Sequence, residues 1–99
     1  MLILFLGRSI DGILADARRE FPEETGILVV SRENDTLPPP AGLDTIPVSR
    51  FQPELGTAYT VISNGGTSSQ LVPVLKRLVE AGVPMQVFDL QRDGKVRVW

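Results

Sequence analysis

The sequence predicts an α/β fold: one small three-layer domain with a mostly parallel sheet and a C-terminal antiparallel hairpin. Three observations carry that prediction. The apolar runs "LILFLG", "GILVVSR" and "AYTVIS" are continuous, not alternating, as in strands buried on both faces. Segments with helical apolar spacing follow the first and third of them. Near the end, "RDG" is a hairpin-turn signal and "KVRVW" alternates as an edge strand does.

Leu2–Gly7 is the first strand, closed by glycine. In "SIDGILADARREF", Ile10, Ile13, Leu14, Ala17 and Phe21 fall on one helical face. Ser9 is a candidate N-cap, Asp11 suits the first turn, Arg18 and Arg19 suit the last, and Pro22 ends the helix. Gly26–Arg32 is the second strand, which completes a β-α-β unit. Glu33–Gly42 holds three successive prolines and reads as a loop, a lid or an inert connection. Asp44–Phe51 reads as a short strand, and Pro47 places it at an edge. Ala58–Ser63 is the third buried strand. Leu71, Val74, Leu75, Leu78 and Val79 form a helical stripe that ends at Gly82, with Pro84 beyond it. "MQVFDL" is a further strand before the hairpin.

Bulk properties bound the function. Ninety-nine residues make one domain, 1–99, with 42% apolar and 22% charged residues. With no cysteine and no histidine, disulfides, thiolate catalysis, cysteine-ligated metals and every Ser–His–Asp triad are excluded. Asp11, Asp16 and Asp89 do not make a metal-binding pattern, so no cofactor or metal is expected. A net charge of −2 gives no whole-molecule attraction to long nucleic acid. The apolar N-terminal stretch is too short to span a membrane, and a cytoplasmic protein is expected.

The stretch with most chemical content is "SNGGTSS", Ser63–Ser69, between a strand and a helix. In open α/β sheets ligands bind beyond the carboxyl ends of the strands. "GRS", Gly7–Ser9, lies at another such end. Helix-start N–H groups attract anions, and glycines let a phosphate approach closely. Thr67 and Gln70 match a capping box, T-x-x-Q, but that start leaves Pro73 inside the helix. A start near Ser69 or Gln70 puts Pro73 in the first turn and leaves Asn64–Ser68 as a loop rich in donors. That later start is the expectation. The loop has two readings, a phosphate cradle or a plain connection in which Asn64 supplies a left-handed turn residue. It is neither a Walker A loop nor the dinucleotide G-x-G-x-x-G.

"ISNGGTSSQLV" resembles the strand–loop–helix signature of CARF domains, the CRISPR-associated Rossmann fold, which commonly carry an N-x-T-G-G-T-like stretch there. Asn64 stands where those domains have threonine, and Ser68 where a charged residue often follows. The resemblance implies a Rossmann-like fold, a cyclic oligoadenylate ligand held across a homodimer, and a role in antiviral defence or in a viral countermeasure to it. A chain of this size resembles the small ring nucleases, which cleave the messenger without metal. It implies catalytic roles for Ser9, Arg8 and Arg32: Ser9 positions the ligand and an arginine stabilises the phosphorane charge. It implies a ligand-binding set of Asn64, Gly65, Gly66, Thr67, Ser68 and Gln70, with Gln70 reading an adenine edge. Beside these roles stand plainer ones: Ser9 as N-cap, Arg8 and Arg32 as solvated arginines, Gln70 as a helix cap. Lys76, Arg77, Lys95 and Arg97 read as solvated faces. Trp99 is expected to be exposed or packed in the dimer. The alternatives in function are a messenger sponge that does not cleave, or an α/β interaction subunit with no ligand.

Overall fold

The computed structural model describes residues 1–64, 68–91 and 93–98. Among these residues it is an α/β fold with a six-stranded sheet in the order β3-β2-β1-β4-β5-β6 and two α-helices. The strands are β1 (Leu2–Phe5), β2 (Ile27–Ser31), β3 (Asp44–Pro47), β4 (Tyr59–Ser63), β5 (Met85–Leu90) and β6 (Val96–Val98). The helices are α1 (Ile10–Glu20) and α2 (Ser68–Ala81), and a short 3-10 turn spans Val48–Arg50. Every neighbouring pair is parallel except β5 and β6, where Phe88 faces Val98 and Leu90 faces Val96.

β1 and β4 are buried along their whole length, which explains the unbroken apolar sequence of β1; β4 buries Thr60 and Ser63 as well. Successive side chains of β1 enter two different apolar clusters. Leu2 and Leu4 join Leu6, Ile10, Ile13 and Ala17 of the α1 side, while Ile3 and Phe5 join Leu71, Val74 and Leu78 of α2. The Phe21 ring, just past α1, lies 5.1 Å from that of Phe88. β3 is an edge strand that ends at Pro47, as a residue without an N–H requires. Gly94, at φ 79°, closes the turn between β5 and β6, and Arg19 donates to its carbonyl at 2.7 Å.

The second helix differs from the expectation. It begins at Ser68, so Pro73 lies in the second turn and not the first. The start of α2 is also tied to the sheet through Gln70, which donates to the carbonyls of Leu6 and Val30. Val79, expected in the buried stripe, is 65% exposed, because the face of α2 that meets the sheet is defined by Leu71, Val74 and Leu78. Arg77 is not a solvated arginine either: it donates to the carbonyls of Val48 and Phe51 and fastens α2 to the 3-10 turn. Thr67 as N-cap and Trp99 at the terminus lie outside the described residues. Among the described residues, no helix is long and apolar enough to cross a membrane.

Pro73 removes one backbone hydrogen bond from the interior of α2. Pro73→Ala is expected to raise stability by about 1–3 kcal/mol, read as a higher urea midpoint at unchanged m-value.

Candidate functional site

The order of the strands reverses between β1 and β4: the chain runs outward from β1 to β2 and β3, then returns to β4 on the other side. Connections leaving β1 and β4 therefore diverge, and a crevice opens beyond their carboxyl ends. A cavity of about 340 Å³ occupies this place. Its lining joins Leu6–Ser9 after β1, Arg32 and Asp35–Leu37 after β2, Asn64 after β4, and Gln70 of α2. Of the residues singled out in the sequence, Arg8, Ser9, Arg32, Asn64 and Gln70 thus share one wall. Gly65, Gly66 and Thr67 lie outside the described residues. Ser68 is the first residue of α2, and nothing is described of its side chain.

Ser9 occupies the N-cap position of α1, and its carbonyl accepts the N–H of Ile13 at 3.0 Å. Its hydroxyl makes no capping hydrogen bond. The backbone there has φ −100° and ψ 20°, away from the extended conformation that turns a cap hydroxyl onto the helix. The plain N-cap reading of Ser9 thus holds for position and fails for its side chain. Arg8 is exposed and, among the described residues, joins no ion pair. Arg32 is 62% exposed on its side chain and lies 3.9 Å from Asp35, too exposed and too distant for a strong ion pair. Two guanidinium groups therefore border the cavity with their charge largely unspent.

Gln70 is 2% exposed, and its amide nitrogen donates to the carbonyls of Leu6 at 3.2 Å and Val30 at 3.4 Å. Its amide N–H groups thus hold the start of α2 against the ends of β1 and β2; the capping partner, Thr67, lies outside the described residues. Asn64 is not a left-handed turn residue, since no non-glycine residue among those described has positive φ.

The loop after β2 is also fixed. Glu33 accepts hydrogen bonds from the Ser49 hydroxyl and the Ser49 N–H, both at 2.8 Å. Those two bonds, the hydroxyl first, hold its carboxyl below the ordinary glutamate value. Two residues on, Asp35 Oδ1 accepts the Leu37 N–H at 3.1 Å, an Asx turn that starts the descent into the proline loop. Sequence reading passed over Asp35. Its only local signal is an aspartate two residues before Leu37 at the head of a loop, which is common to many surface turns.

Further cavities adjoin the first. One of about 650 Å³ lies between Arg8, Ile10 and the Pro38–Pro40 segment, and one of about 600 Å³ lies between Ser9, Asn64 and the β5–β6 turn. They share Gly7, Arg8 and Leu37, or Ser9 and Asn64, with the central cavity. The carboxyl edge thus carries a chain of cavities with arginines at its centre, beside the start of α1. Among the described residues, no group of three or more carboxylates could hold a metal ion.

Replacing Gln70 by leucine leaves the Leu6 carbonyl without its donor. Gln70→Leu is expected to lower stability by about 1–3 kcal/mol, measured by urea unfolding. Glu33 has a lowered folded pKa, so its contribution is complete above the ordinary glutamate value and fades as pH falls through the folded value. The Tm gap between the native chain and Glu33→Gln should therefore be open at neutral pH and close in acid; a gap independent of pH would contradict this linkage.

In comparisons with known proteins, the chain matches no family model, no curated protein and no solved structure.

Proposed function

We propose that the crevice between β1 and β4 binds a phosphodiester of a cyclic oligoadenylate, and that the chain is a CARF-like, metal-independent ring nuclease acting as a homodimer. The observation that carries this reading is the placing of Arg8, Arg32, Ser9 and Asn64 around one cavity at the reversal of strand order. The order β3-β2-β1-β4-β5-β6, with α1 and α2 in separate apolar clusters, supports a three-layer, Rossmann-like arrangement. Gly65–Thr67, which precede α2 in the sequence, would add backbone donors for phosphate or ribose.

The chemistry needs no imidazole. The ribose 2′-oxygen attacks the adjacent phosphorus, the bond from phosphorus to the 5′-oxygen breaks, and the hydroxyl proton ends on that 5′-oxygen. The products are a linear oligoadenylate with a 2′,3′-cyclic phosphate and a free 5′-hydroxyl. Arg8 and Arg32 would stabilise the charge on the phosphorane, and the Ser9 hydroxyl, which makes no capping hydrogen bond, would hold the phosphate in line. Two copies about a two-fold axis would present paired cavities to a ring of matching symmetry.

One observation favours a second reading, a binder that does not cleave. The ionisable side chains lining the cavity are Arg8, Arg32 and Asp35, and the chain has no histidine to serve there as a general base.

Incubation with cyclic tetra-adenylate and cyclic hexa-adenylate in EDTA, followed by chromatography and a parallel titration, tests both. Arg8→Ala and Arg32→Ala are each expected to weaken binding about tenfold or more, as loss of a charge-assisted hydrogen bond does. Ser9→Ala should lower turnover with binding retained. Binding without turnover in the native chain establishes the sponge, and neither binding nor turnover overturns both readings.

A further inference from the structure

Asp35 is the most deeply buried ionisable side chain at the cavity, with 5% of its side chain exposed. Its two oxygens have different fates. Oδ1 accepts the Leu37 N–H and builds the turn. Oδ2 is buried and, among the described residues, has no hydrogen-bond partner. The nearest cation, Arg32 Nε at 3.9 Å, is beyond hydrogen-bond range. A buried carboxylate oxygen without a donor is costly, and the cost is recovered when a ligand brings the donor.

We infer that Asp35 Oδ2 is the acceptor for a ribose 2′-hydroxyl, so that this cavity selects ribonucleotides over their 2′-deoxy counterparts. The inference rests on the reading of the cavity as a phosphodiester site. Its chemistry follows from the neighbours. An ionised carboxylate only accepts, so its ligand partner must be an O–H or N–H donor. Arg8 and Arg32 border the same cavity and take the phosphate. In a 3′,5′-linked ring the 2′-hydroxyl is the one free hydroxyl on each ribose, and it sits on the carbon beside the 3′-phosphate ester. A donor and an anion so close together match an acceptor set beside two guanidinium groups. The adenine amine lies farther from the phosphate, across the sugar and the base. Because Oδ2 is buried, the hydroxyl reaches it only if its surroundings open, and the exposed Arg32 side chain, 3.9 Å away, would have to move toward the phosphate.

The experiment is a titration of the native chain and Asp35→Asn with cyclic tetra-adenylate, its all-2′-deoxy analogue, adenosine 3′-monophosphate and 2′-deoxyadenosine 3′-monophosphate. Asparagine retains the oxygen that the turn needs and presents an NH₂ donor where Oδ2 stood. The native chain should bind the ribose form of a pair at least about tenfold tighter, and Asp35→Asn should abolish that preference. Equal binding of the ribo and deoxy rings by the native chain overturns the role of Asp35 and leaves the cyclic ligand standing. So does a preference that survives in Asp35→Asn. Discrimination seen only with the mononucleotides supports the role of Asp35 and overturns the cyclic ligand. No binding of any of the four overturns both.

Discussion

The structure depends on a strand that is buried from both sides. Every residue of β1 is inaccessible to water, and its alternate side chains supply two apolar clusters at once. Such a strand can only lie inside a sheet, with a neighbour on each edge and cover on each face. β2 and β4 are those neighbours, and α1 and α2 supply apolar residues to the two clusters. Because the chain leaves β1 toward one edge and later returns on the other, the carboxyl end of this strand is where the connections part. The cavity is a consequence of the core.

What keeps that cavity from collapsing is a set of polar ties to backbone groups. Gln70 reaches from α2 to the ends of β1 and β2. Glu33 clamps the exit of β2 to Ser49, and Arg77 clamps α2 to the same 3-10 turn from the other side. Each tie satisfies main-chain groups at the ends of elements, where regular structure leaves them unpaired. The arginines and the serine at the cavity are left out of these ties. Ser9 makes no cap, Arg8 joins no ion pair among the described residues, and Arg32 stands loosely beside Asp35. Groups fixed in position by the backbone and not spent on structure are the ones available to a ligand.

The composition sets the kind of chemistry such a site can perform. Without histidine or cysteine, no side chain titrates near neutrality in its ordinary state. Charge and geometry remain: guanidinium groups, a hydroxyl, a buried carboxylate oxygen and helix-start amides. These suit recognition of a sugar–phosphate, and they suit a reaction in which the ligand carries its own nucleophile.

The sequence by itself determined the strands and helices, because continuous apolar runs, helical stripes, Pro22, Pro47 and Gly94 act through local sterics and burial. It also determined that Gly7–Ser9 and Asn64 fall at strand ends, since each directly follows a buried run. Only the tertiary structure decided that these two ends are neighbours, because strand order is set by which apolar faces pack together and leaves no mark in local pattern. It decided that Gln70 turns inward as a strut, that Ser9 is an N-cap in place only, and that Pro73 sits inside α2. It alone singled out Asp35. An aspartate in a polar loop looks like any other in sequence, and a buried oxygen without a hydrogen-bond partner among the described residues exists only in the folded chain.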